Sequence, residues 1–402
     1  ELNGEDVLLG NYFTYAYQLI ARANTMLQKI EENGDVVYTE NPELKEVHRG
    51  EVLFLRAWMY FRLWNTYGTA PLVTERITSL GDAYPPNSTD TELLDQAVAD
   101  LTEAARLLPE SWQGLNKGRV TKDSAYGLLC KTLVFRGTVT GNATDFTDAV
   151  SAANKITVAV LASDYGDNFD VSKENNAESL FEWQASANTF GNNPWLDNDN
   201  FSANAAILFY CGMFNKKPDW LGAEIIYATE SLINAYETGD PRFGYTIFPN
   251  DNGGLTNVVK YTLLGNSVES GNARNKNLQR NNNRILRYAD VLLLKAEAMV
   301  RSGSNLSEAV EIINQIRERA RMSTLDGVES PVPANLNTGE TNPDIVLEWI
   351  FQERRIELAC EEGHRWYDLR RRHIAGEIDL KKWNFDSDRI DFEFRDHNIV
   401  FP

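Results

Sequence analysis

Hydrophobic residues recur every three or four positions through most of the first 160 residues, which is the spacing of one buried helix face. Helices are therefore predicted over residues 11–31, 43–67, 90–107, 121–135 and 145–160. Asn33-Gly34 is expected to end the first helix, because both residues favour turns. The Thr121 side chain is expected to cap the fourth helix.

The pattern changes over residues 161–283, which are rich in Asn, Gly and Asp and have only scattered helical spacing. Short strands are predicted at 179–183 and 258–263, where apolar residues are flanked by turn-forming ones. A short helix is predicted at 228–237. We interpret this part of the chain as a loop-rich insertion with small elements of its own.

Helical spacing returns at Asn283 and continues almost to the end of the chain. The predicted elements are helices over 283–303, 306–322, 345–360 and 365–372, followed by an extended tail over 381–402. Helix pairs that bury their stripes against one another in series are typical of an α-solenoid.

The predicted fold class is mostly α. It is an α-solenoid of about four tetratricopeptide-like helix pairs with a loop-rich insertion containing short strands. The expected organisation is N-terminal helical pairs in 1–160, an insertion that carries the ligand surface in 161–283, and C-terminal helical pairs with a tail in 284–402. We expect these parts to form one integrated structural unit.

Charge and composition narrow the range of partners. The chain has 402 residues and a net charge of −19, from 58 acidic and 39 basic residues. Nucleic acid and anionic lipid both attract Lys and Arg, so we expect this surface to bind neither. No apolar run reaches the ~18 residues of a membrane span. Cys130, Cys211 and Cys360 lie far apart, and we expect buried free thiols.

Signatures of the common enzyme classes are missing from the sequence, which has no glycine-rich nucleotide loop and no hydrolase or metalloprotease motif. Glu353 and Glu357 lie four residues apart, and glycosidases use a pair of carboxylates. The neighbouring Arg354 and Arg355 favour ion pairs along the helix instead. We therefore expect a protein that is not an enzyme.

Two sets of residues include potential metal ligands. Glu361, Glu362 and His364 are close in sequence, although polar residues are also common in turns. The clusters 164–170 and 197–199 have the oxygen ligands that calcium takes, but neither has the spacing of a twelve-residue calcium loop. We expect no metal and no cofactor.

Aromatic residues are concentrated between Phe181 and Trp220, at about twice the density of the whole chain, and asparagines lie among them. A sugar ring has an apolar face and a rim of hydroxyl groups. Aromatic faces bury apolar surface, and amides both donate and accept hydrogen bonds, so this mixture suits carbohydrate.

The candidate ligand-binding residues are Trp195, Trp220, Tyr210, Asn192 and Asn193. A proline shortly before each of the two tryptophans stiffens its loop, and a fixed ring loses little entropy when it stacks on a sugar. Tyr210 adds a ring and a hydroxyl, and the two asparagines are candidates for hydrogen bonds to sugar hydroxyls. The sequence leaves open the alternative that these rings form a small core of the insertion.

Several segments together resemble the SusD/RagB family. They are 56–73 (RAWMYFRLWNTYGTAPLV), 119–126 (RVTKDSAY), 286–298 (LRYADVLLLKAEA), 353–359 (ERRIELA) and 362–369 (EGHRWYDL). The last two are the most specific. The motifs occur in the order of the family and extend across nearly the whole chain.

The resemblance implies a surface-exposed lipoprotein of the Bacteroidetes outer membrane. Such proteins are non-catalytic and capture glycans for import by a partner SusC-like TonB-dependent transporter. It also implies that the signature motifs are scaffold, with Arg365, Trp366 and Asp368 serving in packing and ion pairing. Ligand residues vary within the family, so none is carried over by motif.

Two expectations complete this picture. We expect the precursor to have a signal peptide that ends in a lipid-modified cysteine upstream of Glu1, so that the membrane is reached only through that anchor. The alternative function is a peptide- or protein-binding helical scaffold of a nutrient-uptake complex.

Overall fold

The computed structural model describes residues 7–184, 228–248, 257–261, 282–383, 394–395 and 399–400. The fold is mostly helical, as predicted. The chain divides into two compact units. The first is Glu1–Val158 with Tyr367–Pro402, and the second is Ala159–Trp366.

The helices of the described residues are, in chain order, α1 (Val7–Val37), α2 (Glu43–Tyr67), α3 (Glu92–Leu107), α4 (Lys122–Thr140), α5 (Ala143–Ala153), α6 (Glu230–Ile233), α7 (Arg242–Thr246), α8 (Tyr288–Arg301), α9 (Leu306–Met322), α10 (Pro343–Glu357) and α11 (His364–Ile374). The strands are β1 (Ser179–Trp183), β2 (Ile247–Phe248), β3 (Asn257–Val258) and β4 (Asn283–Arg287). No helix within the described ranges combines the length and the apolar character that crossing a bilayer requires.

Helices of the first unit pack on their neighbours in sequence: α1 on α2, α2 on α3, α3 on α4 and α4 on α5. The aromatic stripe of α2 is buried, since Trp58, Phe61 and Trp64 are only 6%, 3% and 3% exposed. Phe61 meets Phe135 of α4 edge to face, with 5.0 Å between ring centroids. Packing in series agrees with the sequence pattern, while the tetratricopeptide-like pairing and the solenoid course stay predictions.

A buried ion pair joins three helices of this unit. Arg56 on α2 donates two hydrogen bonds of 2.7 Å to the carboxylate of Asp100 on α3. Its Nη1 donates to Oδ1 of Asn24 on α1 and to the carbonyl of Thr74. A bidentate guanidinium–carboxylate pair fixes geometry as well as contributing energy. Arg56 therefore sets how α1, α2 and α3 meet.

The start of α4 is confirmed. Thr121 Oγ1 accepts a hydrogen bond from the Ser124 backbone at 3.2 Å, and Ser124 Oγ accepts one from the Thr121 backbone at 2.9 Å. This capping box satisfies two backbone N–H groups that the first helical turn leaves without partners.

The predicted end of α1 at Asn33-Gly34 is wrong, because the helix continues to Val37. A Cβ at Gly34 would lie 2.6 Å from Cε of Lys45, so the glycine makes room for that side chain. Lys45 Nζ then pairs with Asp35 at 2.8 Å. Glycine costs only about 1 kcal/mol relative to alanine inside a helix, so a single glycine does not have to end one.

Helix α5 ends at Ala153, short of the predicted residue 160. The buried carboxylate of Asp123 accepts hydrogen bonds from the backbone N–H groups of Thr157 and Val158, at 3.2 and 2.8 Å. A side chain of α4 thus provides the partners that a longer helix would have provided.

In the second unit α8 packs on α9 and α10, and these two helices also contact each other. Strands β1 and β4 pair antiparallel, with Ser179 opposite Arg287 and Trp183 opposite Asn283. A second antiparallel pair joins β2 and β3. The predicted strand at 179–183 is confirmed.

The helix predicted to begin at Asn283 begins at Tyr288 instead, and residues Asn283–Arg287 form β4. All five strand residues are buried, including Arg284 and Arg287, so the segment has neither a solvent face nor a single apolar stripe. Pairing with β1 satisfies its backbone, and Tyr288 N closes the strand by donating to Glu178 O at 2.9 Å.

Smaller differences concern element lengths. The helix predicted at 228–237 is the four-residue α6, and α10 ends at Glu357 rather than at residue 360. The strand predicted at 258–263 is β3, Asn257–Val258, and residues 262–263 lie outside the described ranges. The tail predicted to be extended starts with the helical turn Leu380–Lys382.

We predict that Trp58→Ala lowers the free energy of unfolding by about 3–5 kcal/mol, because it removes a buried ring and leaves a cavity. Urea denaturation followed by circular dichroism measures the change. Leu115→Ala is the control, since Leu115 is fully exposed and its loss is expected to change stability little. Equal stability of the Trp58 variant and the parent would contradict the assigned packing of α2.

Candidate functional site

Charged side chains gather in the interior of the second unit, and each is at most 6% exposed. We call this group the charge cluster; it comprises Glu178, Asp240, Arg242, Lys260, Arg287, Arg317, Arg319, Glu353, Glu357 and Glu361. Buried charges are costly to remove from water unless each one is paired and hydrogen-bonded. The contacts within the cluster meet that requirement.

Glu357, at the end of α10, accepts hydrogen bonds from three guanidinium groups. Arg319 Nη2 lies 2.5 Å and Arg287 Nη1 lies 3.1 Å from Oε1, and Arg242 Nη1 lies 3.1 Å from Oε2. Burial raises the pKa of the Glu357 carboxyl, but the charges of Arg319 and Arg287, followed by Arg242, outweigh burial. The pKa of Glu357 therefore lies far below the usual glutamate range, and the carboxylate stays ionised.

Glu178, just before β1, provides a second carboxylate to the same arginines. Arg287 Nη1 donates to its Oε1 at 2.5 Å, and Arg319 Nη1 donates to its Oε2 at 2.9 Å. Burial raises the pKa of Glu178, while Arg319 and Arg287 lower it further than burial raises it. Two arginines thus hold β1 against the end of α10.

Lys260 covers the C-terminal end of α10. Its Nζ donates to the carbonyls of Glu357 and Ala359, at 3.0 and 2.8 Å, and to Glu361 Oε1 at 2.5 Å. A cation at a helix C-terminus is stabilised by carbonyl groups that have no partner within the helix. Burial lowers the pKa of Lys260, and its interaction with Glu361 opposes that shift.

The turn after α10 has an unusual backbone. Cys360 and Glu362 have φ of 62° and 40°, which side-chain-bearing residues rarely adopt. Such strain persists only where surrounding contacts impose it. Here the turn directs Glu361 inward, where Arg287 Nε and Nη2 donate to its carboxylate at 2.7 and 2.9 Å.

These contacts decide between the interpretations of the Glu353 and Glu357 pair. Glu353 accepts hydrogen bonds from Arg242 at 2.5 Å and from Arg317 at 3.0 Å, and it is 1% exposed. Carboxylates enclosed in this way do not reach a substrate in solution. The prediction of ion pairing is confirmed, but the prediction that neighbouring arginines of the same helix supply it is wrong. The described partners come from distant parts of the chain.

The residues considered as metal ligands have partners within the protein. Glu361 binds Arg287 and Lys260, Glu362 accepts from Asn283 Nδ2, and His364 Nδ1 lies 3.9 Å from Asp290 Oδ2. Among the described residues, no three His, Cys, Asp or Glu side chains are grouped as a metal site requires.

The first acidic cluster stabilises turns. Asp164 Oδ1 accepts from Gly166 N at 2.7 Å and Asp170 Oδ1 accepts from Ser172 N at 2.8 Å, each at the start of a short helical turn. Asp167 pairs with Lys173 at 2.5 Å. The second cluster, 197–199, lies outside the described residues.

Polar side chains also form hydrogen bonds at the end of the β1–β4 pair where Trp183 lies opposite Asn283. Gln184 and Asn175 exchange two amide hydrogen bonds, both of 2.9 Å. Asn282 Nδ2 donates to Glu182 Oε2 at 2.8 Å and to Gln184 Oε1 at 3.0 Å, and Asn282 N donates to Glu174 Oε1 at 2.6 Å. We call the five residues that form these hydrogen bonds the strand-end latch.

The latch holds the last described residues before 185–227, which contain most of the aromatic- and asparagine-rich segment. The predicted ligand-binding residues lie outside the described residues; they are Trp195, Trp220, Tyr210, Asn192 and Asn193. Trp183 belongs to the same aromatic-rich part of the sequence, and it lies within the described residues. Its side chain is 46% exposed at the end of β1.

Comparison with known proteins identifies the family of the chain. Residues 158–398 match the family model described as the SusD family. The chain belongs to the SusD family. Residues 1–133 match a second model, described as starch-binding and associating with the outer membrane.

Relatives of the SusD family resemble the chain over most of its length. A SusD-like protein P38 of Formosa agariphila is 26% identical over 90% of this chain and 72% of its own. A SusD superfamily structure from Parabacteroides distasonis aligns with a TM-score of 0.77 and 21% identity, covering 100% of this chain and 83% of that one. A laminarin-binding SusD-like structure aligns with a TM-score of 0.71 and 23% identity, covering 97% and 82%.

The SusD signature motifs contribute to the framework. Arg354 Nη1 donates to Asp290 Oδ1 at 2.6 Å, which joins α10 to the start of α8. In the first unit Arg371 donates to Asp368 Oδ1 at 2.9 Å and to Thr138 Oγ1 at 2.9 Å. The expected ion pairing of Asp368 is confirmed.

We predict that Glu357→Gln lowers the free energy of unfolding by about 3–5 kcal/mol, because it leaves buried guanidinium groups without their counter-charge. Glu103→Gln is the control: Glu103 pairs with Arg106 at the surface, and such pairs contribute about 0–1 kcal/mol. Chemical denaturation at pH 7 measures both variants. Similar small losses in the two would show that the charge cluster is not stabilising.

Acid is predicted to weaken the parent more than the Glu357 variant. The pKa values of Glu357 and Glu178 are lowered in the folded protein, so their stabilising contribution is present above the unfolded glutamate pKa of about 4.3 and is lost as pH falls below it. The difference in unfolding free energy between the parent and Glu357→Gln should therefore shrink from pH 7 to pH 3. A constant difference across that range would refute the linkage.

Proposed function

We propose that this chain is a non-catalytic glycan-binding protein that captures neutral oligo- or polysaccharide at the cell surface. The observation that carries the proposal is membership of the SusD family over residues 158–398. The starch-binding description of the model matched by residues 1–133 supports it, as does the resemblance to a laminarin-binding protein. Both descriptions concern neutral glucans.

The proposal includes delivery of the captured glycan to a partner SusC-like TonB-dependent transporter. It also includes attachment of the protein to the outer membrane through an N-terminal lipid. Association with the outer membrane, as described for the model matched by 1–133, supports this location. The net charge of −19 supports a neutral ligand, since anionic polysaccharide would be repelled.

The proposed contacts to the glycan come from the segment after Gln184. Trp195 and Trp220 stack on sugar rings, Tyr210 adds a further ring and hydroxyl, and Asn192 and Asn193 bond to sugar hydroxyls. Their support is chemical: rings and amides are the groups that recognise an uncharged sugar. No part of the buried charge cluster is assigned to ligand.

Native affinity gels that contain starch, laminarin, xylan or galactomannan test the proposed function. We expect retarded migration in at least one gel, and chromatography of the same polysaccharide after incubation should show no shortened products. Migration that none of the four retards would contradict glycan capture. Release of shorter oligosaccharides would contradict the non-catalytic assignment.

We predict that Trp195→Ala or Trp220→Ala weakens binding by about 1–3 kcal/mol, the free energy of burying a large apolar side chain. The melting temperature should barely change. Calorimetry measures affinity for the polysaccharide that retards the parent in the gels, and a thermal scan gives the melting temperature of each variant. Unchanged affinity in both variants, or unfolding of both, would assign these rings to a core of the insertion.

A further inference from the structure

The end of β1 presents an aromatic ring to solvent. Leu180 and Glu182 of this strand are 5% and 3% exposed, whereas Trp183 is 46% exposed. The pairing with β4 shifts register between Phe181 and Glu182. A register irregularity of this kind twists a strand and redirects the side chains that follow it. Glu182 and Trp183 are the two strand residues that follow the shift.

The residues on both sides of this ring are anchored through their own side chains. Glu182 accepts hydrogen bonds from Asn282 Nδ2 at 2.8 Å and from Asn175 N at 3.1 Å. Gln184 is tied to Asn175 by the reciprocal amide pair. Asn175 has φ of 51°, a conformation that asparagine tolerates better than most residues. Trp183 thus lies between two anchored residues.

We propose that Trp183 is a stacking platform for a pyranose ring of a neutral glycan, held in place by the strand-end latch. This inference rests on the proposed function and adds a subsite within the described part of the protein. An exposed ring with a fixed backbone loses little conformational entropy when a ligand covers it. The apolar C–H face of a pyranose is the complementary surface.

The surroundings select against charged sugars. Glu182 is buried and paired with Arg284 at 3.4 Å, whereas Glu174 adds a carboxyl group at the same strand end of a chain that is strongly acidic overall. A uronic acid or sulfated sugar would be repelled there, while a neutral hexose would not. The subsite therefore suits neutral glucans, the class of ligand on which the proposed function is based.

Calorimetry on Trp183→Ala tests the platform. The ligand is whichever of starch, laminarin, xylan or galactomannan retards migration of the parent protein. We expect affinity to fall about tenfold to hundredfold. Trp383→Ala is the matched control, because Trp383 is similarly exposed, at 37%, and belongs to the other unit. It should bind as the parent does. Equal affinity of the Trp183 variant and the parent would overturn the proposal.

A footprint on the unaltered protein removes any dependence on how the variant folds. Tryptophan oxidation is measured by peptide mass spectrometry, with and without the polysaccharide that retards the parent protein. We expect glycan to slow oxidation of Trp183 and not that of Trp383. Binding without protection of Trp183 would overturn the subsite and leave the proposed function intact. A parent that binds none of the four polysaccharides would overturn both.

Discussion

A single buried carboxylate organises the second unit. Glu357 receives guanidinium groups from Arg242, Arg287 and Arg319, three residues that lie far apart in sequence. An unpaired charge in this interior would be very costly, so each arginine is constrained to lie beside the carboxylate. The position of β4, the end of α10 and the course of α9 are consequently linked. Glu178 extends the same network to β1, the strand that ends at the proposed ligand-binding segment.

The helical framework was largely predictable from the sequence, because an apolar stripe repeats through each long helix. Leu306–Met322 and the Thr121 cap show how far such local signals reach. Errors arose where tertiary contacts outweigh local preference. At Gly34, α1 continues through a glycine beside which the Lys45 side chain lies. The pattern of Asn283–Arg287 resembles the start of a helix, but the segment is a strand whose five residues are all buried. Its Arg287 pairs with carboxylates from distant segments.

Ion-pair partners were the least predictable feature. A sequence shows which charges are four residues apart on one helix, but not which ones meet across a fold. Glu353 therefore looked paired with its own helix and instead binds Arg242 and Arg317. The candidate ligand residues rest on composition and on neighbouring prolines, and neither separates a stacking ring from a core ring. Trp183 became distinguishable only through its exposure and the anchored residues beside it.

In the proposed function, the helical framework presents an aromatic, asparagine-rich segment to a neutral glycan. Hydrogen–deuterium exchange, with and without the polysaccharide that retards the protein in the gels, is the decisive measurement. We expect slower exchange in peptides from residues 183–227, and unchanged exchange in α2, α3 and α10. Protection confined to the helices, with none in 183–227, would contradict it and would place the ligand on the framework itself.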